Sequence, residues 1–214
     1  MMAVRTHRVV ALACVALAMS ACSVLPDKKP VTVYQLPNPV SPVTAMPGEP
    51  GSSVAASGIA GKALRVNTPV AGPTLNSDRI LVSPAQYQVM AYKGVRWHDL
   101  APRIVRNQLA LQLRAINMWN VVTTDDTTAR ASYLLGGELL DFQVQERSGN
   151  REVTIRFEAT LIDADTNRVV AARPFKVIQP VQGQEFDRVI EAFGQATQQL
   201  GAEVAAWLAQ AAAR

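Results

Sequence analysis

The chain has 214 residues, 21 of them Lys or Arg against 17 Asp or Glu, for a formal charge of +4, and 49% are hydrophobic. That length suits one domain with a sizeable core. Basic residues form no run beyond Lys28-Lys29 and do not interleave with the three Trp and four Tyr, so the charge excess is no nucleic-acid signature.

At the amino end, Arg5, His7 and Arg8 lead an apolar run from Val9 to Met19. The run is too short for a permanent span of about 20 residues and has the form of a secretory signal. Small Ser20 and Ala21 stand just before Cys22, where a peptidase can reach the backbone and the thiol can become a thioether carrying a diacylglycerol. Met19 stands where Leu is commonest in such a box. The expectation is a lipoprotein signal peptide over 1–21 and a mature chain that begins at an acylated Cys22, the lipid attachment residue. Cleavage removes Arg5 and Arg8 and lowers the charge by two. It also removes Cys14, so the mature domain has no thiol left for a disulfide. No later apolar run approaches spanning length, which leaves the lipid as the expected anchor, and two or more acyl chains hold stably where one does not. Ser23, rather than Asp, follows Cys22, which favours the outer membrane with the domain on its periplasmic face.

Residues 22–30 read as a short tether, polar at Asp27, Lys28 and Lys29. A strand is expected over 31–36. Five prolines then punctuate a Gly/Ser/Ala-rich stretch, a loop over about 38–61, because Pro lacks the ladder donor and small residues bury little. Short strands are expected at 63–67, 79–82 and 87–92. Asp99 is the expected N-cap of a helix to about Asn117, with Pro102 in its first turn. Its apolar stripe runs Ala101, Val105, Leu109, Leu113 and Ile116, widened by Leu100, Ile104 and Leu111. Val121-Val122 forms a further strand. The clearest β-signal follows: 140–145, 153–161 and 168–178 alternate apolar and polar residues around turns at 148–150 and 163–167, which predicts a three-stranded antiparallel meander. A long helix over about 184–212 carries Phe186, Val189, Ile190, Phe193, Thr197, Leu200, Val204, Trp207 and Leu208 on one stripe, better explained by its own core than by a partner. The fold class is α/β in the α+β sense, a single domain over 31–214 in which two helices pack on an antiparallel meander sheet.

Several motifs, in order, carry a family likeness. They are Val33-Tyr34-Gln35-Leu36-Pro37, then Arg79-Ile80-Leu81-Val82, then Tyr92 and Trp97 ahead of the first helix. Ala131 to Leu139 opens the meander, and Ala171-Ala172-Arg173-Pro174-Phe175, Ala192-Phe193 and Trp207 complete the pattern. In these the chain resembles the ABC-type transport auxiliary lipoproteins, which include the PqiC-type lipoproteins of paraquat-inducible membrane operons. The resemblance implies a periplasmic α/β domain that works beside an MCE-domain protein and an associated ABC transporter or membrane permease, in systems that move phospholipids between membranes. It implies no cofactor. Self-association into a ring, a homo-oligomer, is compatible with such a role.

Tyr92, Trp97 and Trp119 are the candidate partner contacts, although aromatic residues near helix ends more often fill a core edge. Arg79 and Arg173 flank apolar strand residues over which their stems can lie. Asp163, Asp165 and Asn167 have the opening spacing of a calcium loop but lack its Gly and closing Glu, so a hairpin turn explains them better and no metal is expected. After signal removal His98 is the only histidine, and no nucleophile elbow, zinc helix or phosphate loop occurs. Glu138 and Asp141, three apart in a strand, should point to opposite faces and so cannot act as an acid–base pair. The expected function is therefore that of a lipid-anchored, non-enzymatic accessory subunit of an MCE/ABC-type lipid transport system that docks partners in the periplasm. A structural or regulatory envelope lipoprotein and a lipid-binding carrier are the alternatives.

Overall fold

The computed structural model describes residues 30–37, 61–147 and 149–212. The expected signal peptide, Cys22, nearly all of the expected tether and nearly all of the expected Pro-rich loop lie outside the described residues. Within them the chain forms β1 (Thr32–Tyr34), β2 (Ala63–Val66), β3 (Arg79–Ser83), β4 (Met90–Trp97), α1 (Ala101–Ala115), β5 (Val121–Thr124), β6 (Tyr133–Arg147), β7 (Asn150–Asp163), β8 (Arg168–Pro180) and α2 (Phe186–Ala211).

The strands join one sheet with β6 as its spine. One edge of β6 pairs antiparallel with β7 from Tyr133↔Asp163 to Arg147↔Asn150, and β7 pairs in turn with β8, so the predicted meander is present. The other edge is shared end to end. Tyr133–Leu135 pair parallel with β2, and Gln143–Gln145 pair parallel with β3. Between them Val70 bridges to Glu138, and the N–H groups of Asn67 and Val70 donate to the carbonyls of Leu135 and Gly137. β5 extends the β2 wing, while β4 and then β1 extend the β3 wing. The expected antiparallel meander of β6, β7 and β8 is thus one part of a mixed sheet whose other strands join β6 in parallel. Parallel partners need a long crossover, and the segments that supply it here flank strands of only three to five residues, too short to show a period.

A bulge corrects one expectation. The buried apolar residues of β6 are Leu135, Leu139, Phe142 and Val144, with a step of three where the register shifts between Leu139 and Asp141. Leu140 is the extra residue, and Leu139 rather than Leu140 enters the core. Past the bulge the alternation is inverted. Glu138 and Asp141 stand opposite Glu158 and Arg156, which are two apart on β7, so the two carboxylates share the outer face instead of facing apart. Gly137 just before the bulge has φ +137° and lies so close to β7 that a side chain would overlap the Glu158 carbonyl.

Both helices cover one face of this sheet. In α1, Leu100 rather than Asp99 occupies the N-cap, with no side-chain cap. The Asp99 carboxylate instead accepts from the Leu100 N–H at 2.7 Å and lies 3.6 Å from Arg103, while Pro102 fills the first turn. Ala101, Ile104, Val105, Leu109 and Leu113 are buried, whereas Leu111 and Ile116 fall outside the stripe and stay exposed. In α2, Val189, Phe193, Ala196, Leu200, Val204 and Leu208 are fully buried against β7, β8 and α1, so this helix packs within its own domain. No helix among the described residues is long and apolar enough to cross a membrane.

Candidate functional site

With the helices on one face, the opposite face of β6, β7 and β8 stays open, and alternation fills it with polar side chains. Asp141, Gln143 and Gln145 come from β6, Glu152, Thr154 and Arg156 from β7, and Lys176 and Ile178 from β8. The loop between β3 and β4 forms the wall of this concavity of about 500 Å³ with Gln86, Tyr87, Gln88 and Val89.

The charges on this floor are partly cancelled. The Arg156 guanidinium pairs with the Asp141 carboxylate, which also accepts from the Gln143 amide at 3.2 Å. That leaves amides, hydroxyls and two further cations, Arg147 and Lys176, facing solvent beside Glu152. The Thr154 hydroxyl at the bottom is buried and finds no hydrogen-bond partner among the described residues. Such a surface can hold a polar partner by hydrogen bonding. Among the described residues its carboxylates are the engaged Asp141 and Glu152, with no histidine or thiol lining the concavity beside them.

The three aromatic candidates are not brought together on a surface. Trp97 is 1% exposed, packed edge-on to Phe193 at 5.0 Å and tilted against Phe142 at 5.7 Å. Trp119 is 4% exposed and packs on Tyr133 at 5.7 Å. Both are interior residues, because their rings are the largest apolar groups available where the β3 and β2 wings meet the helices. Neither indole N–H meets an acceptor among the described residues. Tyr92 is half-buried. Its ring lies edge-on to Phe186 at 5.1 Å, and its hydroxyl donates to Glu146 at 3.1 Å. Burial and then the Glu146 carboxylate push its pKa up to about 12.

The remaining sequence candidates resolve simply. The Arg173 guanidinium lies over the Phe175 ring at 5.1 Å, a cation–π contact within its own strand. Asp163 accepts the N–H and the hydroxyl of Thr166 at 2.8 Å each, bonds that hold its carboxyl below its ordinary pKa and close the β7–β8 hairpin turn. No group of three or more His, Cys, Asp or Glu among the described residues could hold a metal.

Sequence reasoning missed an ion cluster built around a buried arginine. Arg106, on the sheet-facing side of α1, is 4% exposed. Its guanidinium donates to Asp125, to Asp126 at 2.7 Å and to the Thr68 hydroxyl at 3.1 Å. Partial burial raises the pKa of Asp125, but the Thr68 N–H and Arg106 outweigh it and hold the carboxyl below its ordinary value. The only signal was a pair of acids directly after a short strand, opposite a cation next to an apolar helix stripe.

Comparison with known proteins agrees with this architecture. The crystal structure of protein XCC0632 from Xanthomonas campestris is similar, with TM-score 0.71 and 24% identity over 85% of this chain and 96% of that one. Another crystal structure, of an uncharacterised protein, gives TM-score 0.63 and 16% identity over 84% of this chain and 99% of that one. At these identities the likeness establishes the fold. No curated protein sequence matches the chain. The model of the ABC-type transport auxiliary lipoprotein component family matches residues 34–205, from the end of β1 to the last turns of α2. The chain belongs to that family.

Proposed function

We propose that this auxiliary component is a lipid-anchored, non-enzymatic docking subunit of an intermembrane phospholipid transport system, fixed through Cys22 to the periplasmic face of the outer membrane. The observation that supports it most is the family match over 34–205, which starts only twelve residues after Cys22 and spans both wings of the sheet. Cys22 supplies position, the tether supplies reach, and the open polar face supplies a surface on which an MCE-domain protein or its ABC permease can rest. A carrier would need an apolar chamber for an acyl chain, and the concavity on the sheet is lined by amides and charges instead.

Two measurements test this reading. Cys22→Ser should leave the domain folded and release it from sedimented membranes into the periplasmic extract. A variant that still sediments with outer membrane contradicts the anchor. Affinity purification of the native protein from detergent extracts should recover an MCE-domain protein or a permease with its ATPase, and recovery of a cell-wall synthase instead would favour a regulatory role. Mass spectrometry of the same preparation that found one phospholipid per chain would replace docking by carrying.

A further inference from the structure

We infer that the β3–β4 hairpin tip, Tyr87 to Met90, rests in the headgroup–acyl boundary of the bilayer that carries the anchor; this rests on the acylation of Cys22 proposed above.

The strand directions place the tip. β1 runs parallel to β4, with Thr32↔Val95 and Tyr34↔Trp97, and β4 runs antiparallel to β3, with Val82↔Met90. β3 is parallel to β6, with Ser83↔Gln145. The amino end of β1 therefore points toward the same end of the sheet as the close of β3, the start of β4 and the close of β6. Nine residues, 23–31, separate Cys22 from Thr32. Even fully extended they reach only about 30 Å. Thr32, opposite Val95 and five residues along β4 from Met90, is thus held within that distance of the acyl chains, and the chain before it leaves in the direction of the tip.

At this end the surface is apolar where it projects. Tyr87 is 95% exposed, Val89 50% and Met90 55%. Tyr87 sits at φ +68°, a conformation unusual for an aromatic residue, at the crest of the loop. A tyrosine with an apolar body and a polar tip is suited to the bilayer interface, and Val89 and Met90 add buried area behind it. Charges at this end are mixed, with Lys93, Arg147 and Arg151 against Glu152, Glu185 and Asp187. The contact is accordingly driven by apolar burial and should be insensitive to salt. The far end also exposes Val169 and Val170, but the tether does not enter there.

The absence of other cysteines in the mature chain makes the test clean. Ala85→Cys and, at the far hairpin turn, Asp165→Cys are nitroxide-labelled in acylated protein reconstituted into phosphatidylethanolamine/phosphatidylglycerol vesicles. At position 85 the ratio of oxygen to nickel-chelate collisions should be several-fold higher than at 165, unchanged in high salt. Adding Tyr87→Ser, Val89→Ser and Met90→Ser should return the ratio at 85 to the value at 165 while the protein stays on the vesicles. An acylated, vesicle-bound chain whose two labels are equally water-exposed overturns this inference alone, and would fit a tip reserved for a protein partner. A chain with no acyl mass on Cys22 that floats free of vesicles overturns the anchor as well.

Discussion

Arg106 shows how one side chain joins elements that are distant in sequence. It leaves α1 and, through Asp125, Asp126 and Thr68, fastens the end of β5 to the segment that follows β2, where the two run side by side. Thr68 adds its own bond, its N–H donating to Asp125 at 2.8 Å. Replacing Arg106 by Met keeps the volume near the core but leaves two carboxylates without their cation. A loss of about 2 kcal/mol at neutral pH is expected, below the figure for a fully buried pair because the acids keep contact with water. The pH dependence has a definite sign. Asp125 is held below its ordinary pKa in the fold, so its contribution is complete above the unfolded value near 3.9 and is lost as pH falls through the lower folded value. Urea midpoints of the parent and Arg106→Met should therefore lie well apart at pH 7 and draw together at pH 3. An equal gap at both would mean that the arginine acts by packing alone.

The contact between the two helices turns on a pair of residues. Gln112 of α1 donates its amide to the Thr197 carbonyl of α2 at 3.0 Å, and Gly201 lies one turn further along α2, where an added Cβ would overlap the Gln112 amide. Alanine normally gains about 1 kcal/mol over glycine inside a helix. Gly201→Ala alone should yield none of that gain, because the Gln112 amide must leave Thr197 to make room. In a Gln112→Ala background the same change should stabilise by about 1 kcal/mol, a coupling that a thermal double-mutant cycle reads directly. Equal effects in both backgrounds would show that the amide yields freely. The elements themselves were largely legible, and the reasons differ by element. β7 and α2 were plain because each buries one face over many residues, Val153 to Leu161 at period two and Val189 to Leu208 at helical spacing. The phase of β6 was not. Gly136 and Gly137 carry no side chain to mark a face, and the bulge at Leu140 inverts the alternation, which put the wrong leucine in the core and separated Glu138 from Asp141. The burial of Trp97 and Trp119 follows the commoner behaviour of aromatic residues near helix ends, which fill a core edge. Polar residues of the outer sheet face such as Gln143 and Thr154, both buried in the floor of the concavity, acquire meaning only once β3, β6, β7 and β8 stand side by side.

At the scale of the whole molecule, β6 and β7 are the frame, and β1 is the outermost strand of one wing and, among the described residues, the first strand after the proposed tether. A strand of three residues with one ladder is weak by itself. It is secured instead by its flanks: His98 donates its N–H to the Tyr34 carbonyl at 2.9 Å, Tyr34 packs on Phe186 at 5.1 Å and donates to Asp187 at 3.1 Å, and Leu36 is buried. Pro37 then lies against Gly194 of α2, where a Cβ would come within 3.1 Å of its ring. Any pull transmitted along the proposed tether would meet this latch before it met the frame. Gly194→Val should push Pro37 away and release β1 without dismantling the rest. In native-state hydrogen exchange the amides of β1 and His98 should lose protection, while those of β6 and β7, paired along their full length, keep theirs. If instead β6 and β7 exchange faster in step with β1, the latch belongs to the cooperative core, and the tether would be tied to the global stability of the domain rather than to a separable first strand.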